Sequence, residues 1–250
     1  MKYVRVMGKD EPVWGVLEGE TIRLLNQPPY EALAFTGKTM PLADALLLAP
    51  CTPTKIVCVG KNYADHAKEL GGEAPEQPIL FLKGPNTVGH PEGTVSAPDF
   101  VSRLDYEGEL AFVIRKRAKQ VQPEDAAPYI LGYTCLNDVT ARDIQAKDGQ
   151  WTRAKGMDGF APIGPVVTDE VDPSDLKIET RLNGKVRQSS RTSAMLHSVS
   201  RLLAFITASM TLEPGDVVAT GTPAGIGPMA PGDVVEVEIE KVGVLRTRVE

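Results

Sequence analysis

The stretch that most constrains this chain is DYEGELAFVI, Asp105 to Ile114. Its alternation reads as a β-strand, in which side chains two apart point to the same face. Asp105, Glu107, Glu109, Ala111 and Val113 then share one face, and Tyr106, Gly108, Leu110, Phe112 and Ile114 share the other. The second half is almost wholly apolar, so that end runs into a core. Carboxylates set side by side at the mouth of a buried strand repel one another and resist desolvation. A divalent cation would relieve both costs, and hard oxygen ligands suit Mg²⁺, Mn²⁺ or Ca²⁺. A solvated outer face, partly neutralised by Arg103 in the same alternation, would relieve them as well; this segment alone leaves the two open.

A chain of 250 residues with 42% apolar content can bury a real core as one large domain, or as one domain with a small appendage. The net charge is −6 and no basic run stands out, which argues against a nucleic-acid or anionic-membrane partner. An acidic substrate stays compatible, because a metal or a few local cations can hold it. The three cysteines, Cys51, Cys58 and Cys135, form no C-x-x-C pair. They read as small buried hydrophobes in a reducing cytoplasm. The opening MKYVRVMGKDEPVWG lacks a signal-peptide core, and no run of about 18 apolar residues suggests a membrane span.

Residues 1–50 read as a small β unit: YVRVM, PVWGVLEG and TIRLL as strands, then PLADALLLAP (Pro41 to Pro50) as a short helix. CTPTK, Cys51 to Lys55, is a linker, and IVCVG, Ile56 to Gly60, a buried strand. Lys61 to Gly72 reads as a short helix closed by two glycines. On it His66 and Glu69, three apart, share a face. A carboxylate there can orient an imidazole and raise its basicity, though an exposed chance pair has the same spacing. Gly72 to Pro98 reads as a loop around the strand ILFLK, the composition expected of a mobile lid.

YILGYTCL continues as a strand, and Thr140 with Asp143 makes a capping box for a short helix that puts Arg142 and Gln145 on one face. Asp138 stands just before it, as a functional carboxylate or a second cap. Trp151 to Pro165 carries too many Gly and Pro for regular structure and reads as a long loop holding Lys155. Asn183-Gly184 marks a hairpin, and Ser198 to Met210 an amphipathic helix with Val199, Leu202, Leu203, Ile206 and Met210 on its apolar side. The closing strands VVEVEIE and VLRTRVE should pair. TGTPAGIG, Thr220 to Gly227, lacks the G-x-G-x-x-G spacing of a nucleotide loop. Its amides and the Thr220 and Thr222 hydroxyls could still hold a carboxylate, or the loop is a plain strand connection.

Taken in order, NYADH, DYEGELAFVI, NDVTARDIQ, WTRAKGMDGFAPIGP, NGKVRQ and TGTPAGIG resemble the fumarylacetoacetate hydrolase family, over roughly Thr54 to Glu250. The resemblance implies an α+β, β-rich fold: a mixed β-roll with a few short helices, preceded here by a small N-terminal β domain over 1–50, and assembled as a homodimer. It also implies one Mg²⁺ or Mn²⁺ per chain, held by Glu107, Glu109 and Asp138, with Asp105 behind them. His66 and Glu69 match the dyad that activates water or moves a proton, and Lys155 the lysine facing the bound oxyanion. Arg142, Gln145 and Thr222 match substrate-binding positions. The implied chemistry is a metal-stabilised enolate of a 2-oxo or 2-hydroxy-dienoic dicarboxylic acid. That state leads to isomerisation, decarboxylation or C–C hydrolysis. The spacer between Gln145 and Trp151, with the N-terminal unit, is closest to the bacterial branch of 2-hydroxyhepta-2,4-diene-1,7-dioate isomerases and related decarboxylases of aromatic catabolism. Acylpyruvate or fumarylpyruvate hydrolysis and oxaloacetate decarboxylation are the alternatives, and a non-catalytic carboxylate-binding protein is the alternative outside enzymes.

Overall fold

Motifs far apart in the chain meet because the strands do not pair in chain order. The computed structural model describes residues 1–250 and is built on a 12-stranded sheet. Its path runs Phe35–Pro41, Thr21–Leu25, Pro12–Glu18, Lys2–Met7, Ala161–Thr168, Ile130–Asn137, Gly108–Ile114, Val217–Ala219, Ile56–Gly60 and Ile79–Lys83. Leu47–Leu48 and Val88–Gly89 attach off this path. The pairing is mixed: Val217–Ala219 runs parallel to Ile56–Gly60, while Gly108–Ile114 is antiparallel to both of its neighbours. A 5-stranded sheet carries Lys185–Arg191, Lys177–Leu182, Val234–Ile239, Gly243–Val249 and Thr94–Val95. A 3-stranded sheet joins Thr140–Ala141, Leu104–Tyr106 and Gly227–Met229. No helix is long and apolar enough to cross a membrane.

The strand Gly108–Ile114 is covered on both faces. Leu110, Phe112 and Ile114 pack into the core that also holds Ile178, Leu203 and Val237. Ala111 and Val113 pack into a second core with Tyr3, Trp14, Leu131 and Val167. A strand buried on both sides needs the near-continuous apolar run that LAFVI supplies. Burial from Leu104 through Ile114 also excludes a solvated outer face for the carboxylates. The longest helix, Val199–Ser209, starts at Ser198, whose hydroxyl accepts the Arg201 N–H at 3.4 Å. Val199, Leu202, Leu203 and Ile206 are buried as its period requires, and Met210 lies just past its end, half-buried. The Asn183-Gly184 turn has φ of +52° and +74°, the left-handed pair that a two-residue hairpin demands.

Several elements differ from their sequence reading. DYEGELAFVI is two strands, Leu104–Tyr106 and Gly108–Ile114, which belong to different sheets and part at Glu107. PLADALLLAP is no helix: Leu42–Asp44 makes one 3₁₀ turn and Leu47–Leu48 a short strand, since an apolar run this short suits either state. Thr140 is not a cap. It lies in the strand Thr140–Ala141, its hydroxyl donates to Asp138 O at 2.9 Å, and Asp143 instead accepts from Ser102. The segment Trp151 to Pro165 is partly regular, with the helix Thr152–Lys155 and the start of the strand Ala161–Thr168.

The N-terminal strands extend the main sheet. Lys2 pairs with Thr168 and Tyr3 with Val167, and Tyr3, Trp14 and Leu25 share a core with Val113 and Leu131. Removing residues 1–50 would leave an unpaired sheet edge and uncover that core. With each large core side chain worth about 3–5 kcal/mol, the 54–250 fragment should melt about 10 °C or more below the full chain and bind a hydrophobic dye. A thermal scan of both proteins checks this; equal midpoints would show that the unit stands apart from the sheet.

Candidate active site

The register of two neighbouring strands assembles the acidic group. Gly108 lies opposite Asn137, which places Asp138 directly beyond Glu107. The Asn137 side chain accepts the Glu107 N–H at 3.0 Å, and the Asp138 N–H donates to Glu107 O at 2.8 Å. The chain turns between its two sheets at Glu107, and these bonds fix the turn. One oxygen from each of Glu107, Glu109 and Asp138 lies within 4.8 Å of the others, and all three residues are buried.

Cations surround two of these carboxylates. Lys155, buried at the end of the helix Thr152–Lys155, donates to Glu107 Oε2 at 2.9 Å, Asp138 Oδ2 at 2.6 Å and Thr140 Oγ1 at 2.9 Å. Lys83 binds the other Asp138 oxygen and the Phe160 carbonyl, the latter at 2.7 Å. Arg142 reaches Glu107 Oε1, Asp105 Oδ2 at 2.9 Å and Gln145 Oε1 at 2.6 Å. Asp105 is fully buried, is shared with Arg103, and meets the acidic group only through Arg142. Glu109 has no cationic partner; its single hydrogen bond comes from the Gly221 N–H, 2.7 Å from Oε2.

The electrostatics follow from that asymmetry. Burial pushes the Glu107 carboxyl up, but Lys155 and Arg142 outweigh it and hold the group down at about 2. Burial lowers the Lys155 ammonium, yet Asp138 and Glu107 more than compensate and keep it charged. Burial and then the charges of Asp138 and Glu107 push Glu109 well above the usual carboxylate range, against the smaller pull of the Gly221 N–H. An all-oxygen group of three buried carboxylates, one of them uncompensated, fits a hard divalent cation. Glu107, Glu109 and Asp138 could hold such an ion.

The cavity beside this group is lined by His66, Glu107, Glu109, Asp138, Lys155 and Thr222, together with Arg142, Gln145, Phe81 and Trp151. His66 lies on the helix Ala64–Glu69, with Nδ1 3.0 Å from Glu69 Oε2. The other Glu69 oxygen accepts the Gly225 N–H at 2.9 Å, tying this helix to the 220–227 loop. A carboxylate on Nδ1 leaves Nε2 as the free ring nitrogen. The cavity volume is about 20 Å³, room for one water-sized species and less than a dicarboxylate needs. A larger cleft of about 410 Å³, between Pro123 and Ser200, has Glu124 as its one charged side chain and no basic group to match.

The candidates from the sequence therefore border one cavity, except Glu69, which reaches it through His66, and Thr220, whose hydroxyl donates to Leu110 O at 2.8 Å instead. Sequence reasoning missed Lys83, Gly221 and Gln188. A lysine ending the strand ILFLK looks like a solvated terminus, and the apolar residues on both faces of that strand give no sign that it points inward. Gly221 acts through its backbone, with φ of +98° and no room for a side chain beside Asn62.

A cation entering the group competes with a proton on Glu109, whose raised pKa means that it holds that proton tightly. Mg²⁺ or Mn²⁺ affinity should therefore rise with pH, by up to about tenfold per unit while one proton is displaced. Calorimetry in two buffers of different ionisation enthalpy reads the released proton directly. Glu109→Gln should weaken binding and abolish the buffer dependence, and a pH-independent affinity in the parent chain would contradict this account.

Comparison with known proteins places this architecture. The family model for fumarylacetoacetate (FAA) hydrolase, C-terminal, matches residues 55–250, and a model for an Rv2993c-like N-terminal unit matches residues 1–50. Oxaloacetate tautomerase YisK from Bacillus subtilis is 43% identical over 223 residues, covering 83% of this chain and 74% of that protein. The solved structure of 5-carboxymethyl-2-hydroxymuconate delta-isomerase from Mycobacterium smegmatis is 44% identical with a TM-score of 0.94, covering 100% of this chain and 99% of that one. That of 2-hydroxyhepta-2,4-diene-1,7-dioate isomerase from Mycobacterium marinum is also 44% identical, with a TM-score of 0.93 and coverage of 100% and 98%. With the family model spanning its acidic group, its lysine and its His–Glu helix, the chain belongs to the fumarylacetoacetate hydrolase family and is an enzyme of that family.

Proposed function

We propose that this enzyme is a divalent-ion-dependent isomerase of 2-oxo and 2-hydroxy-dienoic dicarboxylic acids, with Mg²⁺ or Mn²⁺ on Glu107, Glu109 and Asp138. The observation that carries the reading is a single cavity holding a charged Lys155 between two carboxylates and an imidazole oriented by Glu69. The names of the relatives support it, since each describes an isomerase or tautomerase of a compound bearing at least two carboxylates.

The residues divide the work as follows. His66 Nε2 takes a proton from C3 of the substrate while the C–H electron pair moves toward the 2-oxo oxygen. Glu69, on Nδ1, stabilises the imidazolium that forms. The Lys155 ammonium faces the growing charge on that oxygen. The bound divalent ion would supply Lewis-acid polarisation of the same carbonyl. His66 then returns the proton, to oxygen in a keto–enol exchange or to a more distant carbon in a dienol. Arg142 has one N–H engaged on each of its three nitrogens, which leaves a donor on each terminal nitrogen for a second substrate carboxylate. Gln145, bonded to Arg142, keeps its amide N–H groups for the same end of the substrate.

His66→Ala should keep Mn²⁺ affinity within about threefold while slowing enol–keto exchange of oxaloacetate by about 10²–10⁴-fold. The ultraviolet decay of the enol measures the rate, and calorimetry the affinity; an unchanged rate would overturn the assignment. The parent chain should also convert the seven-carbon dienol diacid. Faster C–C cleavage of acetylpyruvate or fumarylpyruvate than proton exchange would make it a hydrolase instead, with His66 serving to activate water.

A further inference from the structure

Gln188 has no place in the chemistry above, yet it is fully buried on the strand Lys185–Arg191 and makes three hydrogen bonds. Its Oε1 accepts the Gly108 N–H at 3.0 Å, and its Nε2 donates to Thr222 Oγ1 and to Pro223 O, each at 2.7 Å. The Thr222 hydroxyl donates in turn to Gly108 O at 2.9 Å. A backbone N–H at one end and a carbonyl at the other fix which way the amide faces. A closed ring results, through Gly108, Gln188 and Thr222, and Gly108 stands between Glu107 and Glu109. The ring needs glycine there: a Cβ on residue 108 would run into Thr180 Oγ1 and lie 3.3 Å from Gln188 Oε1.

The ring decides what the 220–227 loop can offer a ligand. The one hydroxyl proton of Thr222 goes to Gly108 O, and a lone pair receives Gln188, so no hydroxyl donor remains for an anion. The Thr222 N–H has no protein partner, and the residue lines the cavity. We propose that Gln188 is a positioning residue. It fastens the 220–227 loop to the strand that carries the acidic group, so that an anionic substrate group meets the backbone N–H of Thr222 and not its hydroxyl. The identity of that anion rests on the oxo-dicarboxylate reading; the tether does not.

Two readouts test the tether: amide hydrogen exchange of residues 220–227 in the ion-free, substrate-free protein, and KM and kcat for oxaloacetate with Mg²⁺. Gln188→Leu and Thr222→Val should each speed loop exchange and raise KM about tenfold, with kcat within about threefold of the parent. Thr222→Ser keeps the hydroxyl and should leave loop exchange as it is in the parent. The double variant should be no worse than the worse single, because both changes open the same ring. If Gln188→Leu does not fold, Thr222→Val against Thr222→Ser still decides. A direct hydroxyl contact with substrate would raise KM in Thr222→Val without changing loop exchange, and that result overturns the proposal, as do additive effects in the double variant. A parent chain inert toward oxaloacetate would count against the substrate reading alone, since loop exchange reads the tether without turnover.

Discussion

Mutual repulsion among Glu107, Glu109 and Asp138 governs the rest of this site. Three buried carboxylates of like charge cannot all stay ionised without compensation. Lys155, Lys83 and Arg142 supply it for Glu107 and Asp138, and each is held by further partners: Thr140 for Lys155, the Phe160 carbonyl for Lys83, Asp105 and Gln145 for Arg142. The remaining imbalance falls on Glu109. The framework thus holds one carboxyl in a state that only a proton or a metal ion can relieve. Lys155 is part of this compensation, and in the mechanism we propose it also faces the substrate oxyanion. Changing it would alter both the site at rest and its chemistry.

Backbone geometry delivers these groups with little side-chain freedom. The break at Glu107 lets successive residues serve different sheets: Asp105 anchors Arg142 from the 3-stranded sheet, while Glu109 stands on the 12-stranded one. The strand register brings Asp138 to the same point from the neighbouring strand. The 220–227 loop closes the opposite side, with Gly221 on Glu109, Thr222 on Gly108 and Gly225 on Glu69. Gly225, at φ +102°, also has its carbonyl bound by the Tyr106 hydroxyl at 3.0 Å.

Much of this was legible in the sequence wherever a signal was local. The Asn183-Gly184 turn, the period of Val199–Ser209 and the alternation around Glu109 each follow from residues a few positions apart. The residues of the acidic group were visible for the same reason, with Asp138 and Lys155 supplied by family resemblance. What could not be read depends on distant partners. Alternation runs straight through Glu107, so nothing local marks the change of sheet. Thr140 and Asp143 have the spacing of a capping box, but Lys155 and Ser102 bind them instead. Lys83 and Gln188 are polar residues at places where polar residues are ordinarily solvated; their burial comes from contacts 55 and 80 positions away.

Lys83 also links the site to the rim of the molecule. It is the last residue of Ile79–Lys83, the outermost strand at one end of the 12-stranded sheet. Its ammonium is bound to Asp138, so one side chain fastens an edge strand to the acidic group. That strand shows Ile79 and Leu82 to solvent, and its outer backbone groups have no neighbouring strand. Such an edge is the part of a sheet most prone to pair with another chain. Besides its ladder to Ile56–Gly60, this edge strand is thus fixed to the acidic group by one buried ion pair, so its position and that of Asp138 are set together.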